Sequence, residues 1–338
     1  MDKSTLEEIG IIDWVKIRDK FEKPDLLLGN GFSLQFSNNF SYSSLFEIFL
    51  ETCDPTHKSL FSHFGTNNFE LILKYLDQSK VINSFLDLPT EPIDLAIAQL
   101  KNGLIAAIEK VHPRYQDINL EQLERMAYQL ADFGNIFTTN YDLFLYHIIM
   151  KSLDIRRDNR EFVAYQDYYW GPSVAAGFKE FVNYQTIPYK HIYYLHGSLF
   201  VFNQELKDVK IIRSNREIEL IDLIANQIRN SNIPNFVSEG TGEDKRRSIS
   251  RNEYLRFCST KLKDSTNSIV VFGNSLGEFD SHILEAIKAK PKDIVFCMYV
   301  GDKSKEELNH EKLTFAKNFN KYQKEIHYVD SGSLFTLS

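Results

Sequence analysis

Cysteine is scarce: three in 338 residues, at Cys53, Cys258 and Cys297. No two form a Cys-x-x-Cys pair, which argues against a four-thiolate structural zinc and against a disulfide framework. Basic charge is also in deficit. The 39 Lys and Arg against 46 Asp and Glu leave a net charge of −7, so bulk charge does not favour nucleic acid or an anionic membrane. Long hydrophobic runs are missing: stretches such as Leu143 to Met150 are too short to span a bilayer. Met1-Asp2-Lys3-Ser4-Thr5-Leu6-Glu7-Glu8 carries acids where a secretory signal needs a basic patch and an apolar run. The expectation is a soluble, cytoplasmic protein. Internal repeats and low-complexity segments are absent as well. What is present is ordinary for a globular chain, 43% hydrophobic and 25% charged, with 26 Phe and 17 Tyr that read as an aromatic-rich core.

Along the chain, short apolar runs alternate with helical periodicity. Strands are predicted at Asp25 to Leu28, Asn135 to Thr139, Ile192 to Leu195, Val209 to Ile212, Ser268 to Phe272, Ile294 to Val300 and Ile326 to Val329. Helices are predicted at Ser43 to Glu51, Phe69 to Phe85, Glu91 to Val111, from an Asn119 N-cap onward, and at Leu143 to Leu153, Glu219 to Arg229, Glu253 to Leu262, Ser281 to Ala289 and Lys305 to Tyr322. Arg156 to Lys190 reads as irregular, and Pro234 to Arg251 as a loop whose basic cluster, Lys245-Arg246-Arg247 with Arg251, is either solvated or a lid over a diphosphate or a contact with a partner or nucleic acid. Strands without polar alternation, separated by helices, give an α/β fold: a Rossmann-like doubly wound parallel sheet. The expected organisation is one domain over 1–338, with a helical insertion at 41–134. A second insertion, irregular and helical, is expected at 150–265 around the strand that ends in His-Gly.

In such a sheet, ligands bind beyond the carboxyl ends of the strands. Five strand ends carry small or polar residues: Gly29-Asn30-Gly31-Phe32-Ser33, Thr138-Thr139-Asn140-Tyr141-Asp142, His196-Gly197-Ser198, Gly273-Asn274-Ser275-Leu276 and Gly301-Asp302. Gly29 and Gly31 suit close approach of backbone N–H groups to a diphosphate. The third Gly of the dehydrogenase fingerprint is missing, with Leu34 in its place, which disfavours a nicotinamide dehydrogenase. Asn140 and Asp142 sit two apart and face one way if extended; an Asx turn capping the next helix explains Asp142 equally well. His196 is either a structural histidine or a near-neutral base. Gly273-Asn274-Ser275 offers a second phosphate turn, and Asp302 either a ribose contact or a solvated acid.

In this order the segments resemble the sirtuin-like domain, with its Gly-x-Gly-x-Ser loop, Thr-x-Asn-x-Asp segment, His-Gly pair and Gly-x-Ser-Leu loop. Ile249-Ser250-Arg251-Asn252-Glu253-Tyr254 and Phe272 through Asp280 are similar to the bacterial sirtuin-like branch in particular. The matches run from about residue 25 to about 302. The resemblance implies a domain that binds NAD+ as substrate and breaks its nicotinamide–ribose bond. Asn140 and Asp142 would contact ribose and nicotinamide, and His196 would act as the base. Gly29, Asn30, Gly31, Ser33, Thr139, Gly273, Asn274, Ser275, Leu276 and Asp302 would line the dinucleotide, with Phe32 near the reacting ring.

Two departures from the deacetylases stand out. Asn140 and His196 are 56 positions apart (196−140), and no closely spaced cysteines remain to hold zinc, so no metal is expected. The resemblance therefore points to NAD+ hydrolysis to nicotinamide and ADP-ribose by an antiphage effector, with a separate sensor or activator protein or a homo-oligomer as partner. Two other readings stand beside it: a non-catalytic NAD+ or ADP-ribose sensor, and a zinc-free ADP-ribosyltransferase or deacylase.

Overall fold

Leu26-Leu27-Leu28, Ile136-Phe137 and Ile269-Val270-Val271 are almost completely buried, because strands covered on both faces have no solvent side. They form the centre of the fold seen in a computed structural model. It describes residues 2–41, 45–173, 177–184, 189–204, 207–212, 218–236, 242–277, 280–290, 293–322 and 324–335. The strands are β1 (Ile11–Ile12), β2 (Asp25–Leu28), β3 (Ile136–Thr138), β4 (Tyr165–Gln166), β5 (Phe178–Glu180), β6 (Lys190–Tyr194), β7 (Gly197–Gln204), β8 (Lys207–Ile211), β9 (Pro234–Phe236), β10 (Ile269–Phe272), β11 (Ile294–Met298) and β12 (Ile326–Asp330).

Eight of them make one parallel sheet in the order β1-β12-β11-β10-β2-β3-β6-β4. Helices flank it, as expected of a Rossmann-like doubly wound fold. From the central pair β2 and β10, the chain proceeds to β3 in one direction and to β11 in the other. Between β2 and β3 run the helices Leu45–Thr52, Pro55–Phe64, Phe69–Phe85, Glu91–Val111 and Leu120–Gln129. Helix Glu91–Val111 starts with Pro92 in its first turn and buries Ile97, Leu100, Leu104, Ile108 and Val111. Asn119 caps the next helix through its side chain, accepting from the N–H groups of Glu121 and Gln122. The Gln122 side chain does not return to the cap but donates to Gln35 O at 2.9 Å.

The structure corrects several expectations. The region 150–265 contains a second, antiparallel sheet in the order β5-β8-β7-β9. Strands of two or three residues such as β4 and β5 are too short to show alternation, which is why Arg156 to Lys190 read as irregular. The strand at Ile192 does not stop for good at His196-Gly197: after a two-residue step the chain continues as β7. Pro234 to Arg251 holds β9 and a helix, Gly242–Arg251. That helix is dominated by charged and serine residues, with Ile249 its one buried large apolar side chain, so no apolar stripe announced it. Helix Lys305–Lys317 ends five residues earlier than Tyr322 (322−317). The expectations at Ser43, Gly240, Glu278 and Phe279 lie outside the described residues.

The opposite end of the sheet from the Gly-rich turns is tied by a buried ion pair. Lys290 Nζ lies 3.0 Å from Asp25 Oδ2, with side chains 1% and 0% exposed. Asp25 also accepts from Ser265 Oγ, Asn135 Nδ2 and Asn267 Nδ2, so its oxygens are well satisfied. Burial lowers the Lys290 ammonium from its ordinary value while Asp25 opposes that fall. Removing one partner strands the other in an apolar interior. Lys290→Met is expected to destabilise the fold by about 3–5 kcal/mol, and Asp25→Asn with Lys290→Met by less than that. Urea unfolding of the two variants checks the order.

Candidate active site

β2 and β10 touch where the chain direction switches, which is where an open α/β sheet offers its crevice. The turns that follow them meet backbone to backbone. Gly31 N–H donates to Gly273 O at 3.0 Å. A Cβ on Gly31 would sit 2.6 Å from Gly273 Cα, and one on Gly29 2.5 Å from Gly273 O. Gly273 itself has φ +66°, the left-handed region that favours glycine. Beside this contact lies a cavity of about 230 Å³. The described residues lining it include Asn30, Thr139, Asn140, Tyr141, Asp142, His196, Lys245, Gly273, Asn274, Ser275 and Asp280, with Phe40, Leu45, Ile48 and Val111 on an apolar side. The helical insertion supplies that apolar wall.

The segment after β3 is held on both flanks. Asn140 Nδ2 donates to Gly29 O at 2.9 Å and to Ser33 Oγ at 2.8 Å. Its Oδ1 takes no donor from the described residues and is the atom left for a ligand. Ser33 passes its own proton to Asp142 Oδ2, and Asp142 Oδ1 accepts from Phe144 N–H at 2.9 Å. Asp142, one residue before the N-cap Leu143, therefore satisfies the first N–H of helix Phe144–Asp158 and closes a relay from Asn140 through Ser33. Burial pushes its carboxyl up to about 6, against the lowering pull of Ser33 and the Phe144 N–H. Asn274 Nδ2 bridges Thr139 Oγ1 at 3.1 Å and Asp280 Oδ2 at 3.4 Å, tying the ends of β3 and β10 together.

His196 occupies the step between the two sheets. Gly197 takes φ +74° there, and a Cβ on it would lie 2.0 Å from Asn235 O, so only glycine fits the corner. His196 Nε2 is 3.0 Å from His282 Nε2 and 3.9 Å from Asp280 Oδ1. Burial drives the His196 imidazole down to about 3, and Asp280 opposes this. His282 falls to about 4 for the same reason, and its Nδ1 has no hydrogen-bond partner. Two neutral rings so placed share one Nε2 proton. Although burial raises a carboxyl, His196, Lys245 and His282 together hold Asp280 below its ordinary value.

Eight of the predicted residues border the cavity: Asn30, Thr139, Asn140, Asp142, His196, Gly273, Asn274 and Ser275. Six are not among its lining. Gly29 and Gly31 are consumed in the contact with Gly273. Phe32 is fully buried, edge-on to Phe36 and Phe335 in the core, and does not face the reacting region. Ser33 lies beneath Asn140 in the relay. Leu276 is buried at φ +51°. Asp302 is exposed in the turn after β11 and is a solvated acid. Sequence reasoning gave Asp280, Tyr141 and His282 no site role and named Lys245 only as part of a basic cluster. Asp280 closes the segment that begins at Phe272, which was a readable signal; nothing in the sequence separates Lys245 from Arg246 and Arg247.

A second cavity, about 670 Å³, lies beyond Ser275 and is lined by Phe296, Phe315, Glu306, Glu307, His310 and Glu311. Ser275 belongs to both. Among the described residues, no helix is long and apolar enough to cross a membrane.

A family model covers nearly all of these elements, from residue 26 to residue 334. The chain belongs to the family described as "Domain of unknown function (DUF4917)". No curated protein matches it. The DUF4917 span begins in β2 and ends after β12, and so takes in every residue lining the first cavity.

The buried imidazoles give a measurable pH dependence. His196, His282, His112 and His191 are all lowered from 6.5, to about 3 or about 4. The unfolded chain therefore binds more protons than the native one below pH 6.5, and stability falls with pH. Asp142 acts in the opposite sense, its contribution weakening as pH rises through about 6. At about pH 5.5 the net uptake on unfolding is about three protons. Urea midpoints at about pH 7 and about pH 5.5, read with the m-value, test this: the midpoint is expected to drop clearly at the lower pH.

Proposed function

We propose that the DUF4917 chain cleaves the nicotinamide–ribose bond of NAD+ by hydrolysis, giving nicotinamide and ADP-ribose. The observation that carries this reading is the meeting of Asn140 Oδ1 and His196 in one cavity at the switch point of a Rossmann-like sheet. Those two residues come from segments that resemble the sirtuin-like domain. The second cavity beyond Ser275 supports a dinucleotide in preference to a smaller ligand. Its Glu306, Glu307 and Glu311 carboxylates suit ribose hydroxyls, which donate, and repel phosphates.

The bond between ribose C1′ and the pyridinium nitrogen breaks with its electron pair going to nicotinamide, which leaves neutral and needs no acid. An oxocarbenium-like ribose remains, and a water oxygen bonds to C1′. Asn140 Oδ1 orients that water or a ribose hydroxyl. His196, held neutral, accepts the proton; Asp280 at 3.9 Å offsets the charge, and the proton leaves to solvent. The low basicity of His196 is tolerable because a dissociative step asks for proton removal only late. That same low basicity favours the second reading, a non-catalytic NAD+ or ADP-ribose sensor. By the resemblance, the cleavage would serve antiphage defence in the cytoplasm under a separate activator protein; the three unpaired cysteines suit that compartment.

Incubation of the purified chain with NAD+, followed by chromatography of nicotinamide, tests the proposal. Turnover is expected, reduced by about 10²-fold or more in both His196→Ala and Asn140→Ala. NAD+ that binds saturably and is recovered intact would favour the sensor instead.

A further inference from the structure

We infer that Lys245 is the residue that recognises the diphosphate of the dinucleotide, sharing its ammonium between Asp280 and the ligand's phosphate oxygens. This rests on the dinucleotide reading above and adds the group that selects for phosphate.

Three of the backbone donors in the Gly-rich turns are already committed. Gly29 N–H donates to Phe272 O at 2.9 Å and Gly31 N–H to Gly273 O at 3.0 Å. Leu276 N–H is committed to Asn274 Oδ1 at 2.7 Å. Those three N–H groups are closed to an anionic ligand, and none of the turns carries a full positive charge. Lys245 is the one Lys or Arg among the described lining residues. Its side chain is 8% exposed, and Nζ donates to Asp280 Oδ1 at 3.0 Å.

A buried ammonium with a single carboxylate partner retains donor capacity, since it carries three N–H bonds. Its partner Asp280 also accepts from Asn274 Nδ2 at 3.4 Å, and the next residue, Ser275, lines both cavities. The diphosphate is the part of a dinucleotide that links its two halves, so it falls at the same place. Lys245 is carried by helix Gly242–Arg251, which is fixed to helix Ser281–Lys288 at its rim: Arg246 Nη1 donates to Ser281 Oγ at 3.2 Å and lies 3.8 Å from Glu285 Oε1. The cation is thereby placed before any ligand arrives. When a phosphate draws on Lys245, Asp280 keeps its contact with Asn274 and its position beside His196. Phosphate occupancy thus releases carboxylate charge toward the base, linking recognition of one half of the ligand to chemistry on the other.

The test compares ADP-ribose with nicotinamide riboside, which keeps the scissile bond and lacks phosphate. Isothermal titration on the full chain measures both for wild type, Lys245→Met and Lys245→Arg, with melting curves to confirm folding. The preference for ADP-ribose over nicotinamide riboside is expected to fall by about ten- to hundredfold in Lys245→Met and to recover in Lys245→Arg. The salt dependence of ADP-ribose affinity should weaken in Lys245→Met alone. Equal losses for both ligands, or unchanged ADP-ribose affinity, would overturn the inference. If wild type binds ADP-ribose through Lys245 but never cleaves NAD+, the hydrolysis reading fails while this one stands. Wild type that binds neither ligand removes both.

Discussion

The contact between Gly29-Asn30-Gly31 and Gly273 governs the rest of the molecule. Two parallel strands that diverge in chain direction leave a crevice at their carboxyl ends, and its width is set by how closely the following turns approach. Here they approach until no Cβ fits between them. Asn140 can then reach Gly29 O, and Asn274 can reach Thr139, so three strand-end segments are cross-linked by direct hydrogen bonds. The same closeness binds the backbone N–H groups of Gly29 and Gly31 internally. A glycine pair after a strand, which looks from sequence like an anion cradle, works in this chain as a spacer of minimal thickness.

The parts of the fold that were legible are those with redundant signals. Ile269-Val270-Val271-Phe272 and Leu26-Leu27-Leu28 are continuous apolar runs closed by Gly-Asn, and helix Glu91–Val111 carries its stripe over several turns. The Thr138 to Asp142 segment was legible because small polar residues directly after a buried strand have few structural uses. Phe32 and Asp302 were misplaced for opposite reasons. One aromatic beside a glycine turn can point either way, and only the ring contacts with Phe36 and Phe335 fix it in the core. Asp302 follows a strand as a ligand-binding acid would, yet the turn after β11 leaves it in solvent. Helix Gly242–Arg251 was illegible because it carries no apolar stripe, and its buried Lys245 stands among arginines. What distinguishes Lys245 is tertiary: a carboxylate on another helix.

The polar groups in the cavity are held in states water would not favour. Burial lowers the two histidines to about 3 and about 4 and raises Asp142 to about 6, while Lys245 and Asp280 pair with each other. Burial of this kind strengthens whatever electrostatic contact a ligand brings. Asp142 serves the helix start and also borders the cavity. Its two oxygens face different ways, one to the helix start and one to Ser33.

The two-residue step from Tyr194 to Gly197 has a mechanical meaning. β6 belongs to the parallel sheet and β7 to the antiparallel one, and Leu195 and His196 are all that joins them along the chain. A linkage that short has no slack. The small sheet is held to the large one there and again where Leu199 N–H donates to Tyr141 O at 2.9 Å, so a displacement between the sheets would strain the His196 corner and the strand end that carries Asn140 and Asp142 together.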